Sequence, residues 1–254
     1  MGGLAIRRVL SIGGLVILLA CAAPVFAHSH TPEPSVTLVL STHQPIDSPY
    51  SQWLSKVYRE LFARIGMNVE VRYVPAARST VYAHTGEIDG QVGRVSSYQD
   101  RSHQLQVPEA IYPLEMIAFV RKPWPYPPLE GWDSLAGKQL RIEYMRGASL
   151  PQRRLQERIA AQHLSAVTSV KQGLSKLKAG RSDVFVASML SAWPFVNSSE
   201  FNEDIVAAGV LERDAIYPYL DARHHALAPS LVKALQAMKR EGLIEALRVQ
   251  AYSQ

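Results

Sequence analysis

The sequence predicts an α/β protein in which strands and helices alternate and the sheets are largely parallel. Two patterns point to this class: short runs rich in β-branched residues, and longer segments in which apolar residues recur at three- and four-residue spacing. The chain has 254 residues, of which 47% are hydrophobic and 19% charged. This composition allows a substantial buried core and excludes intrinsic disorder, a collagen-like chain and a disulfide scaffold.

The clearest helical pattern lies in the first half of the chain, after its N-terminal 35 residues. Apolar residues from Trp53 to Ile65 recur at helical spacing, Ser48 is placed to cap the start of this helix, and Gly66 ends it. After the strand that ends at Val95, a further helical stretch is expected up to Leu105. In order, the predicted elements are strand 36–41, helix 50–65, strand 67–73, helix 78–85, strand 88–95 and strand 112–120.

The second half repeats this alternation after a proline-rich turn at 122–128, which is a natural boundary between two lobes. The predicted elements are strand 139–144, helix 150–163, helix 168–179, strand 183–187, and two terminal helices at 229–241 and 243–252.

The N-terminal 27 residues resemble a secretory signal peptide. Arg7 and Arg8 precede an apolar run, and Val25-Phe26-Ala27 offers a cleavage site. We therefore expect export across the inner membrane to the periplasm. The alternative is a lipoprotein, because Leu18-Leu19-Ala20-Cys21 resembles a bacterial lipobox. Cys21 is the only cysteine, so no intrachain disulfide is possible.

Charge and motifs exclude several functional classes. The net charge of +5 includes two arginines of the signal segment, and no run of basic residues follows, so nucleic acid is not an expected partner. The chain contains no P-loop, no dinucleotide-binding glycine motif, no nucleophile elbow and no zinc-protease motif. We predict no cofactor, no metal site and no catalytic residue.

Several short motifs occur in an order that is typical of one family. They are Pro75-Ala-Ala-Arg78, Gly86-Glu-Ile-Asp89-Gly90, Val107-Pro108-Glu109, Trp132-Asp-Ser-Leu135, Arg146-Gly147, and Leu177-Lys-Ala-Gly180-Arg181-Ser-Asp183. In this order and spacing the chain resembles the bacterial extracellular solute-binding proteins of family 3, the receptors of ABC transporters with the type II periplasmic-binding fold.

This resemblance implies two Rossmann-like lobes joined by two crossing strands. Lobe 1 would comprise residues 36–112 and 217–254, and lobe 2 residues 117–211. It also implies a monomer that captures a small polar, carboxylate-bearing solute in the interlobe cleft and delivers it to a membrane permease of an ABC transporter. The alternatives are a stand-alone ligand sensor, or a dehydratase-like enzyme on the same fold using Glu109, Glu115 or Glu143.

Three residues are candidates for binding a ligand carboxylate. Arg101 lies twelve residues after Asp89, the spacing of the family's carboxylate-binding arginine, and Ser96 matches a family position whose hydroxyl helps to hold that carboxylate. Arg94 follows a buried-looking strand and should emerge at its carboxyl end, where open α/β sheets bind ligands. A structural ion pair is the alternative role for Arg94.

Three further residues are secondary candidates. Arg78 heads a predicted helix and either points to the cleft or packs against its lobe. Gly147 and Ala148 precede another helix, whose free backbone N–H groups favour an anion, although a glycine there is also an ordinary turn residue.

One position departs from the resemblance. The amino acid receptors carry a carboxylate four residues after the aspartate that corresponds to Asp183, and it holds the α-ammonium of the ligand. This chain has Ala187 there, followed by Ser188. The departure predicts an acid without a standard α-amino group, unless Glu143 or Glu115 substitutes.

Overall fold

The computed structural model describes residues 1–2, 37–101 and 103–253. The described strands and helices all belong to one compact unit, which comprises the described residues from 37 onwards. The predicted signal peptide and Cys21 lie outside the described residues, so the expected export stays a prediction.

The described part of the first half, from residue 37 onwards, forms five strands and two α-helices. Ser48 caps the first helix by accepting a hydrogen bond from the backbone N–H of Ser51, as the sequence predicts. The elements are β1 (Thr37–Thr42), α1 (Pro49–Ala63), β2 (Asn68–Tyr73), α2 (Ala76–Thr85), β3 (Gly90–Val95), a 3-10 helix (Ser96–Arg101), β4 (Gln104–Gln106) and β5 (Tyr112–Arg121).

The second half contributes four strands and five α-helices. The last helix has the predicted bounds. The elements are β6 (Ile142–Met145), α3 (Ser149–Gln156), β7 (Leu164–Val167), α4 (Val170–Lys178), β8 (Val184–Ser188), α5 (Met189–Val196), β9 (Ile205–Asp221), α6 (Ala228–Arg240) and α7 (Leu243–Tyr252).

Two predicted helical stretches are partly wrong. Helix α3 ends at Gln156, and the chain then enters β7, which pairs in parallel with β6. The stretch expected to be helical up to Leu105 is a 3-10 helix followed by β4, which pairs with β9. In both cases the strand is short, and its hydrogen bonds are formed with a strand that is distant in sequence. The local pattern of apolar residues therefore does not predict it.

The nine strands form one hydrogen-bonded sheet in the order β2-β1-β3-β9-β5-β8-β6-β7, and β4 also pairs with β9. The first lobe contains β1–β4 with α1, α2, α6 and α7, and the second contains β6–β8 with α3–α5. Pairing is parallel from β1 to β2 and β3, and from β6 to β7 and β8. The antiparallel strands β5 and β9 run between the lobes. This confirms the predicted architecture; the residue bounds of the lobes stay a prediction.

Helix α1 anchors the first lobe. Its residues Trp53, Val57 and Leu61, one helical turn apart, are fully buried against the sheet and α7. The indole Nε1 of Trp53 donates to the carbonyl of Ile244, so a buried aromatic also fixes the position of α7. At the start of α1, the hydroxyl of Ser51 lies 2.9 Å from that of Thr42 at the carboxyl end of β1.

The second lobe has its own apolar cluster on one face of the sheet, formed by Phe119, Phe185 and Leu174 with their neighbours. Gly173 of α4 lies so close to the Phe185 ring that a Cβ would stand 2.4 Å from it. This close approach fixes α4 against β8. Within the described residues, no helix combines the length and hydropathy needed to cross a membrane.

Candidate ligand-binding cleft

A cavity of about 340 Å³ lies where the carboxyl ends of the parallel strands of both lobes meet the crossing strands. This is the position at which open α/β sheets bind ligands. The first lobe contributes His43, Gln44, Tyr50, Tyr73, Pro75 and Gly93–Val95; the crossing strands contribute Leu114, Met116 and Ile216; and the second lobe contributes Met145, Arg146, Ala148–Pro151, Thr168, Val186–Ser188 and Ser191.

Arg94 is the buried cation of this cleft. It lies near the end of β3, as the sequence predicts, and only 7% of it is exposed to solvent. Its Nε donates to Oε1 of Gln91 over 2.8 Å, and its guanidinium lies 4.7 Å from the centre of the Tyr98 ring. An amide and an aromatic face therefore hold the planar guanidinium in one orientation.

The amide of Gln91 is itself fixed by a buried polar network. Ser79 Oγ donates to Gln91 Oε1 over 2.7 Å, and Ser41 Oγ lies 2.7 Å from Ser79 Oγ. The Nε2 of Gln91 donates to Gln104 Oε1 and to the Tyr98 hydroxyl. The residues of this network come from β1, α2, β3, the 3-10 helix and β4. The position of Arg94 therefore depends on how all these elements pack in the first lobe.

No carboxylate within the described part of the chain forms an ion pair with Arg94. Burial lowers the pKa of this guanidinium, while the nearby Tyr98, Tyr50 and Tyr219 partly offset that effect. A buried charge without a counter-ion is unfavourable, and an anionic ligand is one group that would compensate it. The ion pair considered as the alternative role of Arg94 is thus not found among these residues.

His43 lies beside Arg94 and Tyr50 in the loop between β1 and α1. Burial, reinforced by the positive charge of Arg94, lowers the pKa of its imidazole to about 3, so the ring is neutral near pH 7. Its Nδ1 is buried and has no hydrogen-bond partner among the described residues. The cleft therefore carries a neutral ring nitrogen next to its cation.

The second lobe places the turn after β6 at the opposite wall. Arg146 is exposed and lines the cavity, and Gly147 adopts a left-handed backbone with φ of 79°. Ala148 and Ser149 follow at the start of α3 and also line the cavity. Two arginines, one from each lobe, thus face the same cavity.

Gln44 and Ser191 connect the lobes at this cavity. The Nε2 of Gln44, in the first lobe, donates to the Oγ of Ser191 in α5 over 3.2 Å. Ser188 caps α5 by accepting from the backbone N–H of Ser191. A second link lies outside the cavity, where the Tyr252 hydroxyl donates to the carbonyl of Leu190 over 2.7 Å.

Of the six predicted ligand-binding residues, Arg94 and Ala148 line the cavity, and Gly147 lies in the turn between two lining residues. Ser96 and Arg78 are exposed and do not line it; the Ser96 hydroxyl lies 3.5 Å from Oδ1 of Asp214. The structure places Arg101 at the end of the 3-10 helix but does not describe its side chain.

The carboxylates considered as substitutes or catalytic groups are held away from this cavity. The buried Glu143 bonds with Lys176 and with the hydroxyl of Ser165. Glu115 pairs with Arg213 over 3.0 Å. The third, Glu109, pairs with Lys239 and Gln236, also outside the cleft.

Pattern reasoning on the sequence missed the polar residues His43, Gln44, Thr168 and Ser191 of the cleft. They occupy loops or the first turn of a helix, directly after strands β1, β7 and β8. The only signal that could have found them is their position at a carboxyl strand end. Among the aromatic residues, Tyr50 lines the cavity, whereas Trp124, Tyr144 and Trp193 do not. Among the described residues there is no cluster of three or more metal-ligating side chains.

Comparison with known proteins gives one related sequence and many related structures. Profiles of known protein families give no match. An uncharacterized protein of Shewanella oneidensis is 30% identical over 221 residues, which cover 86% of this chain and 83% of that protein.

Binding and sensor proteins are among the related structures. A histidine kinase sensor domain with similarity to periplasmic binding proteins superposes with a TM-score of 0.71 at 18% identity, covering 85% of this chain and 95% of its own. The amino acid ABC transporter substrate-binding protein AbpA of Streptococcus pneumoniae, bound to L-arginine, gives 0.70 at 15% identity, covering 85% and 94%. The GluR0 ligand-binding core of Nostoc punctiforme, in complex with L-glutamate, gives 0.68 at 14%, covering 85% and 100%.

These structural similarities confirm the fold that the sequence motifs predict, and the sequence identity shows the kinship. The chain has the type II periplasmic-binding fold and belongs to the same family as the uncharacterized Shewanella oneidensis protein.

Proposed function

We propose that this protein is a periplasmic solute-binding protein that captures a small carboxylate-bearing solute between its lobes. The observation that carries the proposal is the buried guanidinium of Arg94, which is fixed by Gln91 and Tyr98 and faces the cavity without a carboxylate partner among the described residues. A guanidinium donates two parallel hydrogen bonds to a carboxylate, and this pairing relieves the cost of burying the cation.

Arg94 takes the central role in this proposal, and the remaining predicted residues take subordinate ones. Ala148 and Arg146 line the cavity from the second lobe, with Gly147 in the turn between them, and Arg146 adds a second positive charge. Arg101 stays a candidate, and substitution of each arginine in a ligand screen discriminates between the two. Ser96 and Arg78 lie outside the cavity and enter the proposal only as controls.

Delivery to an ABC-type permease is the proposed use of the captured solute. Support comes from the fold that this chain shares with an amino acid ABC transporter substrate-binding protein. A stand-alone sensor is the second candidate, since a histidine kinase sensor domain shares the fold equally well. Uptake of the identified solute by cells lacking the protein separates the two: loss of uptake identifies a transporter component. Catalysis forms no part of the proposal, because no carboxylate lines the described cavity.

The test is a thermal-shift screen of the purified protein against organic acids, amino acids, sugars and uncharged amides. We expect only carboxylates to raise the Tm, because a ligand that binds the native state stabilises it by mass action. Arg94→Gln should abolish the shift, and Arg94→Lys should retain a weaker one, since a point charge replaces the planar fork.

Arg78→Gln is the matched control, because it removes an exposed arginine outside the cavity and should leave the shift unchanged. If Arg101→Gln abolishes the shift while Arg94→Gln retains it, Arg101 is the anchor and the role given to Arg94 is wrong. A screen in which sugars or uncharged amides shift the Tm and carboxylates do not would overturn the proposed ligand class.

A further inference from the structure

The charged side chains described in the cavity wall are all positive. Of the 22 described residues that line it, two are arginines and none is an aspartate or a glutamate. Any positively charged group on a ligand would therefore meet two cations and no carboxylate among these described side chains. Like charges at close range disfavour one another most strongly where water is excluded.

Two carboxylates of β9 are already engaged by other groups. Glu212 accepts from both Nε and Nη2 of Arg154, over 2.9 and 3.0 Å, and from the Trp132 indole. Asp214 accepts from the backbone N–H of Ala215 over 2.7 Å, and it lines a separate cavity beside β5 and α7. Releasing either carboxylate towards the cleft would break these bonds.

The groups that could accept a hydrogen bond from an ammonium group are neutral. Ser188 and Ser191 bond with each other across 3.0 Å, and Ser191 also accepts from Gln44. A hydroxyl contributes one hydrogen bond but no charge, which is insufficient to compensate a desolvated ammonium ion.

Apolar side chains form most of the remaining surface. The crossing strands present Leu114, Met116 and Ile216, and the second lobe presents Met145, Leu150, Val186 and Ala187. Such a surface favours an alkyl or aryl body, because binding removes that body's apolar area from water. The two methionines are flexible enough to adapt to bodies of different shape.

We infer that the ligand is a carboxylate with an apolar body and no ammonium group, held by Arg94 at the first lobe and enclosed by the apolar wall. The inference rests on the proposed function and deepens it, since it names the chemical class that this site takes. The neutral His43 fits the same class, because its imidazole adds no charge beside the Arg94–carboxylate pair.

The test compares pairs of acids that differ only in the amino group, by isothermal titration calorimetry. The pairs are 4-methylpentanoate with L-leucine, 3-phenylpropanoate with L-phenylalanine, and glutarate with L-glutamate. We expect the first two acids without an amino group to bind at least about tenfold more tightly than their amino acids, because like-charge and desolvation effects of this kind amount to one pKa unit or more.

Each other outcome has one meaning. If the amino acids bind as tightly as their partners or more tightly, the inference fails and the proposed function stands. If glutarate binds and the two apolar acids do not, the inference that the ligand has an apolar body is wrong. If none of the six compounds binds, the proposed carboxylate-binding function fails together with the inference.

Ser188→Asp provides a second test on the protein itself. An aspartate is a favourable helix N-cap, so the cap of α5 should be retained while a carboxylate is added to the cavity wall. We expect this variant to bind the amino-free acids less tightly and to reduce or reverse their advantage over the amino acids. Ser188→Asn is the matched neutral control and should keep the preference of the parent protein. An unchanged preference in Ser188→Asp would contradict the inference.

Discussion

At the residue scale, the site depends on Arg94. Burying its positive charge costs free energy when no ligand is bound. The sequence predicts that Arg94 emerges at a strand end, and the structure adds what sequence alone does not provide: the amide of Gln91 and the ring of Tyr98 that orient it. Tyr98 and Gln104 reach this network from the 3-10 helix and from β4, which the sequence patterns do not predict. No pattern in the sequence indicates that these residues meet.

The neutral His43 gives stability a dependence on pH. Its pKa is near 6.5 in the unfolded chain and about 3 in the fold, so the unfolded chain binds a proton first as pH falls. The free energy of unfolding should therefore decrease as pH drops through 6.5, by about 2 kcal/mol at pH 5 from this residue alone. The check is to compare chemical denaturation of the parent and His43→Gln at pH 7.5 and 5.0.

The variant should lose less stability than the parent over this interval, because glutamine does not titrate. His84→Gln, at an exposed site outside the cavity, is the matched control and should behave as the parent does. Equal losses in the parent and His43→Gln would show that the imidazole is not kept neutral by the fold.

At the element scale, amphipathic helices were predictable and partner-dependent strands were not. Helix α7 has the predicted bounds, because its apolar spacing and the preceding Gly242 are local signals. Strand β9 lacks such a signal: its burial pattern is irregular, and its pairing with β5 shifts register twice as it passes from one lobe to the other. Helix α5 was not predicted, because Pro194 lies within it and proline is unfavourable inside a helix.

Gly93 illustrates how one position couples β3 to α1. Its φ is 64°, and a Cβ there would lie 2.1 Å from the Tyr50 hydroxyl. We expect Gly93→Ala to lower the free energy of unfolding by about 2 kcal/mol more than Gly66→Ala, because overpacking adds to the shared left-handed strain.

Gly66 is the appropriate control, since its φ is 73° and no atom lies within 4 Å of the place that an alanine methyl group would take. Urea denaturation of the two variants measures the difference. A Gly93→Ala variant as stable as Gly66→Ala would mean that Tyr50 moves aside at little cost, and that β3 and α1 are not tightly coupled there.

At the scale of the whole molecule, the order of the motifs predicts the two lobes, but the contact between them comes only from the structure. The resemblance covers nearly the whole mature chain, whereas Gln44 and Ser191 lie 147 residues apart and belong to no motif. Long-range pairs of this kind depend on how the lobes are oriented, which local patterns do not encode. The same reason explains why the polar part of the cleft was missed.

The Gln44–Ser191 hydrogen bond should favour the arrangement in which the lobes touch. Gln44→Ala removes it at a cost of about 1 kcal/mol, which corresponds to a roughly fivefold shift towards more open forms. Small-angle X-ray scattering of the ligand-free protein should then give a larger radius of gyration. Gln52→Ala, which removes a partly buried glutamine whose amide donates to the carbonyl of Asp47 in the same lobe, is the control. An unchanged scattering profile for Gln44→Ala would contradict this role.

Strand β9 also has a consequence for biosynthesis. Residues Tyr217 to Leu220 complete the sheet of the first lobe by pairing with β3, although β3 itself is made more than a hundred residues earlier. A chain growing from its N-terminus therefore keeps an open sheet edge until residue 220 has emerged. The first lobe therefore cannot complete its sheet on the ribosome until this segment of β9 has been translated, whereas all the strands of the second lobe, with the part of β9 that pairs there, are made before it.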